Sequence, residues 1–230
     1  MAKVILHKDE VFERVFLNEP SLDLHIVQEA GSRVKIHLLN MSVSTSPSSI
    51  PSMPSMSSLP SMPSPIRNSI TVEQVGEGCR TEIYALAYLH GGENVTTETH
   101  VHHRVGGGTS DQLVKFVLDD HARGHFIGDL KIAPDAQQVE AHQTNRNLLL
   151  SDDAEMRTQP QLEIYADDVQ ATHGASTGQL DEAALFYMQQ RGIGRQKARQ
   201  LLVSAFMKDV IETISDEKIK ADCLTVTAPD

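Results

Sequence analysis

The stretch VKFVLDDHARGHFIGDLKIAPDAQQVEAHQTNRNLLLSDDAEMRTQPQLEIYADD, residues 114–168, is a succession of short apolar runs, each closed by an aspartate turn. Val114 to Leu118 ends at Asp119-Asp120, Phe126 to Ile132 at Pro134-Asp135, Leu148 to Leu150 at Asp152-Asp153, and Leu162 to Tyr165 at Asp167-Asp168. From Asp120 to Asp135, Asp153 and Asp168 the steps are 15, 18 and 15 residues. A near-constant step, too short for a hairpin of two full-length strands, predicts the rungs of a solenoid, each burying its strand against the next. Spacing alone leaves an antiparallel meander or a barrel open. The aspartates fall where Asp is a common turn residue. Turn chemistry therefore accounts for Asp120, Asp135, Asp153 and Asp168 better than a converging carboxylate pair of a β-helical lyase or hydrolase does.

Upstream, Leu22, Leu24 and Ile26 alternate with polar residues, as do Val34, Ile36 and Leu38, and Gly31 breaks the two runs. Period-two alternation of this kind marks half-buried strands. Residues 42–68, SVSTSPSSIPSMPSMSSLPSMPSPIRN, have neither helical nor strand periodicity, and their prolines remove ladder donors. They read as a flexible insertion or linker.

Downstream the pattern turns helical. Asp181 is a good N-cap for Glu182-Ala183-Ala184-Leu185-Phe186, and that helix should stop near Gly192. A second helix from about Arg195 places Ala198, Leu201, Leu202, Ala205, Phe206, Val210 and Ile214 on one stripe, broadened by Val203, Met207 and Ile211. So wide an apolar surface must pack on more than its own hairpin. Either a partner covers it or it folds back on the end of the solenoid, capping the open edge.

A formal charge of −11 argues against general affinity for phosphate backbones or anionic lipid. No apolar run approaches the ~20 residues of a spanning helix, and the start of the chain lacks a secretory cleavage pattern, so a cytoplasmic protein is expected. With no Trp and 4% aromatic content, the interior must be filled by Val, Ile, Leu and Ala, which suits stacked short strands. Cys79 and Cys223 are too few for a disulfide framework or a four-thiolate zinc site, and read as inert buried thiols. There is no nucleophile elbow, phosphate-binding loop or dinucleotide fingerprint.

Two motifs offer rival chemistry. His100 and His102 share one face of an extended strand, with Glu98 beside them and Gly106-Gly107-Gly108 following, an arrangement open to a cupin-like metal site; His103 faces the other way. Gly192-Ile193-Gly194, three further residues and Ala198, with Arg191, Arg195, Lys197 and Arg199, has the form of a helix-hairpin-helix whose turn amides bind a DNA phosphate. The overall acidity and the single hairpin weigh against the second.

The segment from Pro160 to Phe206 resembles the end of the SufB/SufD family of iron–sulfur cluster assembly proteins, and SufD most closely. The resemblance is carried by LEIYADDV (162–169), Thr172-His173-Gly174-Ala175, Gly178, Leu185-Phe186-Tyr187 and Arg191-Gly192-Ile193. It continues back through Asn147-Leu148-Leu149-Leu150-Ser151, Gln143-Thr144-Asn145 and Arg123 to Asp129, and more faintly through His103, covering roughly residues 70 to 214. It implies a mainly β fold: a right-handed parallel β-helix over 1–178 and a small C-terminal α-helical unit over 179–230.

The function implied is that of a non-enzymatic scaffold subunit. Such a subunit pairs with a SufB-like partner through the β-helix and docks a SufC-like ABC ATPase through its C-terminal helices. The resemblance also allows a homodimer where SufB is missing. It implies no cofactor held stably by this chain alone, but a transient iron–sulfur cluster shared with a partner. His173 matches a SufD histidine at the SufB interface, and imidazole is an acceptable iron ligand. Where some SufD sequences carry a cysteine two positions earlier, this chain has Ala171, so further ligands would come from the partner. Partner-binding residues expected on this basis are His103, His173, Phe186, Tyr187, Arg191, Gly192, Ile193 and Phe206.

Overall fold

The computed structural model describes residues 1–42 and 65–227. Odd-numbered strands β1 (Ala2–Leu6), β3 (Ser21–Gln28), β5 (Ile66–Gln74), β7 (Asn94–His103), β9 (Arg123–Ile132) and β11 (Glu155–Ile164) form one six-stranded sheet. Even-numbered strands β2 (Val11–Leu17), β4 (Arg33–Met41), β6 (Arg80–Leu89), β8 (Thr109–Leu118), β10 (Val139–Leu149) and β12 (Val169–Gln179) form a second. Every pairing is parallel and joins a strand to the next but one in sequence. The chain is therefore a parallel β-helix, each coil laying one strand in each sheet.

The aspartate step measures half a coil, not a rung. Consecutive strands lie in opposite sheets, and the chain returns to its neighbouring register after 29 residues from Asn94 to Arg123, 32 from Arg123 to Glu155 and 30 from Val139 to Val169. At the corners the aspartates do turn work: Asp120 adopts φ 55°, and its carboxylate accepts the Gly91 N–H at 3.0 Å. Residues 43–64 of the expected insertion lie outside the described residues. Ile66, Arg67 and Asn68, assigned to the same tract, instead open β5, because Ile66 and Asn68 turn into the coil and are buried.

The interior between the sheets is built of in-register columns. Ile26, Val72, Val101, Leu130 and Leu162 stack along the odd sheet, and all but Leu162 are fully buried. Each such aliphatic contributes about 2 kcal/mol by leaving water. At one corner polar side chains replace them. Thr81 Oγ1 donates to Gln28 Oε1 at 2.6 Å and accepts from Gln74 Nε2 at 2.9 Å, and His103 Nε2 meets Ser110 Oγ at 2.8 Å.

A second apolar cluster lies on the outer face of the even sheet, where Leu39, Met41, Leu86, Val117 and Leu148 are covered by the C-terminal helices. These are α1 (Glu182–Gln190), α2 (Arg195–Ile211) and α3 (Glu217–Thr227). Of the two readings left open, a partner surface or a cap on the end of the solenoid, the second is half right: the helices fold back on the solenoid, but on a sheet face, which is apolar at alternate positions, and not on its open edge. The seam of α2 is Val203, Met207, Val210 and Ile211, continued by Ile214, while Ala205 is exposed and Leu201, Leu202 and Phe206 are half-buried. Polar clamps fix the helix across the sheet. Arg199 reaches Asp119 at 2.7 Å, Lys115 meets Asp209 at 2.5 Å and the Phe206 carbonyl at 2.6 Å, and Thr213 meets His37 at 2.9 Å.

The turn from α1 to α2 follows from Gly192. Its N–H bonds the Gln189 carbonyl at 2.9 Å, and the Ile193 N–H bonds the Met188 carbonyl at 3.1 Å, a Schellman ending. This requires φ 85° at Gly192. Gly192→Ala is expected to cost about 1–2 kcal/mol, the left-handed penalty for a residue with a Cβ. A chemical-denaturation midpoint indistinguishable from that of the parent chain would refute this.

Candidate functional site

The C-terminal end of the coil is formed by β11 and β12, each an edge strand of its sheet. Natural edges are blunted by proline, charge or bulges. β11 carries Pro160 together with Glu155, Arg157 and Glu163. At the opposite end β1 carries Lys3, and β2 carries Glu13 and Arg14. β12, VQATHGASTGQ, has neither proline nor a formal charge, and its outer face is Gln170, Thr172, Gly174, Ser176 and Gly178. It is the edge best suited to receive another strand.

His173 sits in the middle of β12. In register it pairs with Gln143, which pairs with Gln112, then Ile83 and Ile36. Gln143, Gln112, Ile83 and Ile36 are all buried inward-facing residues, so His173 is the last step of an interior column. It is exposed because no further coil covers it. Its inward neighbours along the strand, Val169 and Ala171, pack on the core, whereas Thr172 faces outward and meets His142 at 2.8 Å. The imidazole thus stands at the mouth of the coil, inside the rim that β12 would share with an added strand.

The other expected site residues fall elsewhere. His103 is 0% exposed, and burial pushes its pKa down to about 4, so it is a neutral interior residue. Its side chain lies inside the coil, as a rung residue does. Phe186 and Tyr187 are exposed on α1, and Arg191 lies over the Tyr187 ring at 5.2 Å and bonds its hydroxyl at 2.9 Å. With Gly192, half-buried Ile193 and half-buried Phe206 they belong to the helical unit, away from β12 in the chain.

The rival chemistries lose their geometry. The sheets are open and parallel, not a barrel, and His100 and His102 lie on the outer face of the odd sheet, where both approach Asp129 Oδ2, at 3.6 and 3.2 Å. Glu98, the expected third ligand, is bound to Arg67 at 2.6 Å. Among the described residues no group of three or more His, Cys, Asp or Glu side chains could hold a metal ion. Cys79 and Cys223 are buried, and burial raises both thiols, Cys223 to about 12. In the hairpin, Arg195 is paired with Glu182 at 2.9 Å and Arg199 with Asp119, so these cations serve internal contacts. No helix of the described residues is long and apolar enough to cross a membrane.

Comparison with known proteins places this geometry in context. Residues 62–206 match the family model described as SUF system FeS cluster assembly, SufBD core domain. The iron-sulfur cluster assembly protein SufD of Escherichia coli is 37% identical over 159 residues, 69% of this chain and 38% of that protein. A SufBD family protein of Synechocystis is 29% identical over 206 residues, 90% of this chain and 45% of the relative. One from Mycobacterium leprae is 31% identical over 163 residues, 67% and 42% of the two chains. The chain thus spans less than half the length of these curated relatives.

Proposed function

Because this chain belongs to the SufB/SufD family, we propose that it is a SufD-like scaffold subunit for iron–sulfur cluster assembly that acts through protein contacts and catalyses no reaction itself. The observation that carries this reading is the unprotected β12 edge with His173 at its centre. A SufB-like partner adds a strand to β12 by backbone hydrogen bonding, the mode in which edges confer affinity and side chains specificity. His173 then lies at the seam as one ligand of the nascent cluster, which is cargo. The thiolates come from the partner, since both cysteines of this chain are buried and Ala171 supplies none.

The helical unit provides the second contact. Phe186 and Tyr187, 61% and 60% exposed, with Arg191 against Tyr187, form an aromatic and cationic patch of the type that anchors protein interfaces. A SufC-like ABC ATPase is its proposed occupant, with Ile193 and Phe206 of the same helical unit as further proposed contacts.

Affinity capture of the tagged chain from its native cell extract tests the partners. Recovery of an ABC-type ATPase and a SufB-like protein is expected; nucleic acid released steeply by salt would favour the hairpin reading instead. For the site, His173→Ala should leave the complex assembled while lowering cluster delivery by at least the roughly 10–100-fold that loss of an outer-sphere partner costs. Normal delivery by an intact complex would remove the ligand role.

A further inference from the structure

Beneath His173 the interior column changes character. Ile36 and Ile83 give way to Gln112 and Gln143, which are 2% and 1% exposed. The Gln143 Nε2 amide is turned toward Gln112 Oε1 at 3.5 Å, and it also lies against Gly128 of the facing sheet, where an added Cβ would approach it to 2.5 Å. Gln143 therefore spans the coil, and only glycine at 128 leaves it room. With its nitrogen given to Gln112, its oxygen is the end of the amide left without a partner. That oxygen is buried. Orphaned acceptors of this kind are rare in folded interiors and call for an explanation.

The in-register neighbour on the mouth side is His173, one strand spacing of about 4.8 Å away. We infer that Gln143 is a positioning residue for His173: the two side chains are not bonded in this structure, and a turn of the exposed imidazole toward the coil brings one ring N–H onto Gln143 Oε1, fixing the tautomer and leaving the other ring nitrogen unprotonated and directed out of the coil. A metal-ligating histidine commonly donates its remote N–H to an acceptor in this way. Gln112 orients Gln143 in turn, by accepting from its amide. The importance of the free nitrogen rests on the function proposed above; the hydrogen bond itself does not.

The test is nitrogen NMR of the full chain with labelled histidine at pH 8. The native chain should show His173 biased to one tautomer, with its N–H protected from solvent exchange. Gln143→Met should shift the tautomer ratio by about fivefold and abolish the protection, the effect of one lost hydrogen bond. Gln143→Glu, which retains an acceptor, should keep the bias. Gln112→Met, which frees the Gln143 amide without touching His173, should weaken it and serves if Gln143→Met does not fold. An unchanged tautomer ratio and exchange rate in whichever of the Met variants folds would overturn the inference. That result would leave the ligand role of His173 intact, whereas normal cluster delivery by His173→Ala would remove the ligand role and leave this hydrogen bond standing.

Discussion

Between pH 7 and pH 5 the folded chain is expected to lose about 4 kcal/mol of stability through two histidines, about 2 kcal/mol from each. His37 and His103 are both 0% exposed, and burial lowers both to about 4. His37 is stacked on Tyr84 at a 5.1 Å centroid distance and held by Thr213; His103 is held by Ser110. In the unfolded chain each takes a proton near pH 6.5. From there down to about pH 4 the unfolded state binds more protons than the folded one, so stability falls as pH falls, and below pH 4 these residues add no further loss. His90, also lowered by burial, acts in the same direction. Glu13 does not enter this window: its carboxyl is lowered from 4.5, chiefly by the Ser215 hydroxyl, so its contribution is lost only at more acid pH. Urea midpoints at the two pH values should differ by about 1.5 M at a slope of about 2–3 kcal/mol/M. The double variant His37→Gln, His103→Gln should flatten the dependence, and an equally steep loss in that variant would show that other groups drive it.

Asp209→Ala should cost about 2 kcal/mol, more than Lys115→Met. The Lys115 side chain is 3% exposed, and burial lowers its pKa even against the opposing pull of Asp209. Removing the partner of a fully buried ion costs about 3–5 kcal/mol, and an exposed pair contributes about 0–1. Asp209 is 48% exposed, so the pair falls between those limits. The Phe206 carbonyl at 2.6 Å and the Phe206 ring at 4.5 Å keep the ammonium from being wholly stranded. Methionine at 115 removes the charge and retains much of the packing, so the double variant should recover part of the Asp209→Ala loss. Additive single costs in a double-mutant cycle would mean that the two residues do not share an interaction.

The sequence made some of this architecture plain and concealed the rest for physical reasons. β3, β4, β8 and β9 announce themselves because their inward positions include aliphatics at alternate places, Leu24 and Ile26 in β3, Val34, Ile36 and Leu38 in β4, Val114 and Leu118 in β8, and Leu130 and Ile132 in β9. β10 shows only its end, since its inward positions include Gln143, Asn145 and Asn147, which are buried through hydrogen bonds such as Asn145 Nδ2 to the Val114 carbonyl at 3.1 Å. β12 has no aliphatic alternation past Ala171, so the strand bearing His173 reads locally as a small-residue turn, and only the family resemblance carries the coil that far. The regular step between aspartates is real, but a one-dimensional spacing does not say whether neighbours in sequence are neighbours in a sheet.

The azimuth of α2 was concealed for a different reason. Its apolar residues cover more than one face, so periodicity permits several seams. The one adopted runs through Val203, Met207 and Ile211, with Arg199, Asp209 and Thr213 meeting groups on or beside the even sheet.

The clamps along α2 bear on how the molecule comes apart. Stacked coils contact only their immediate neighbours, and such arrays tend to fray from their ends. Here Arg199 grips the turn after β8, Lys115 of β8 and His37 of β4 hold the middle, and Ser215 donates to Glu13 of β2 at 2.5 Å. One rod thus binds early coils to late ones, so that loosening either end strains the other, and melting becomes a single concerted event instead of a progressive unzipping.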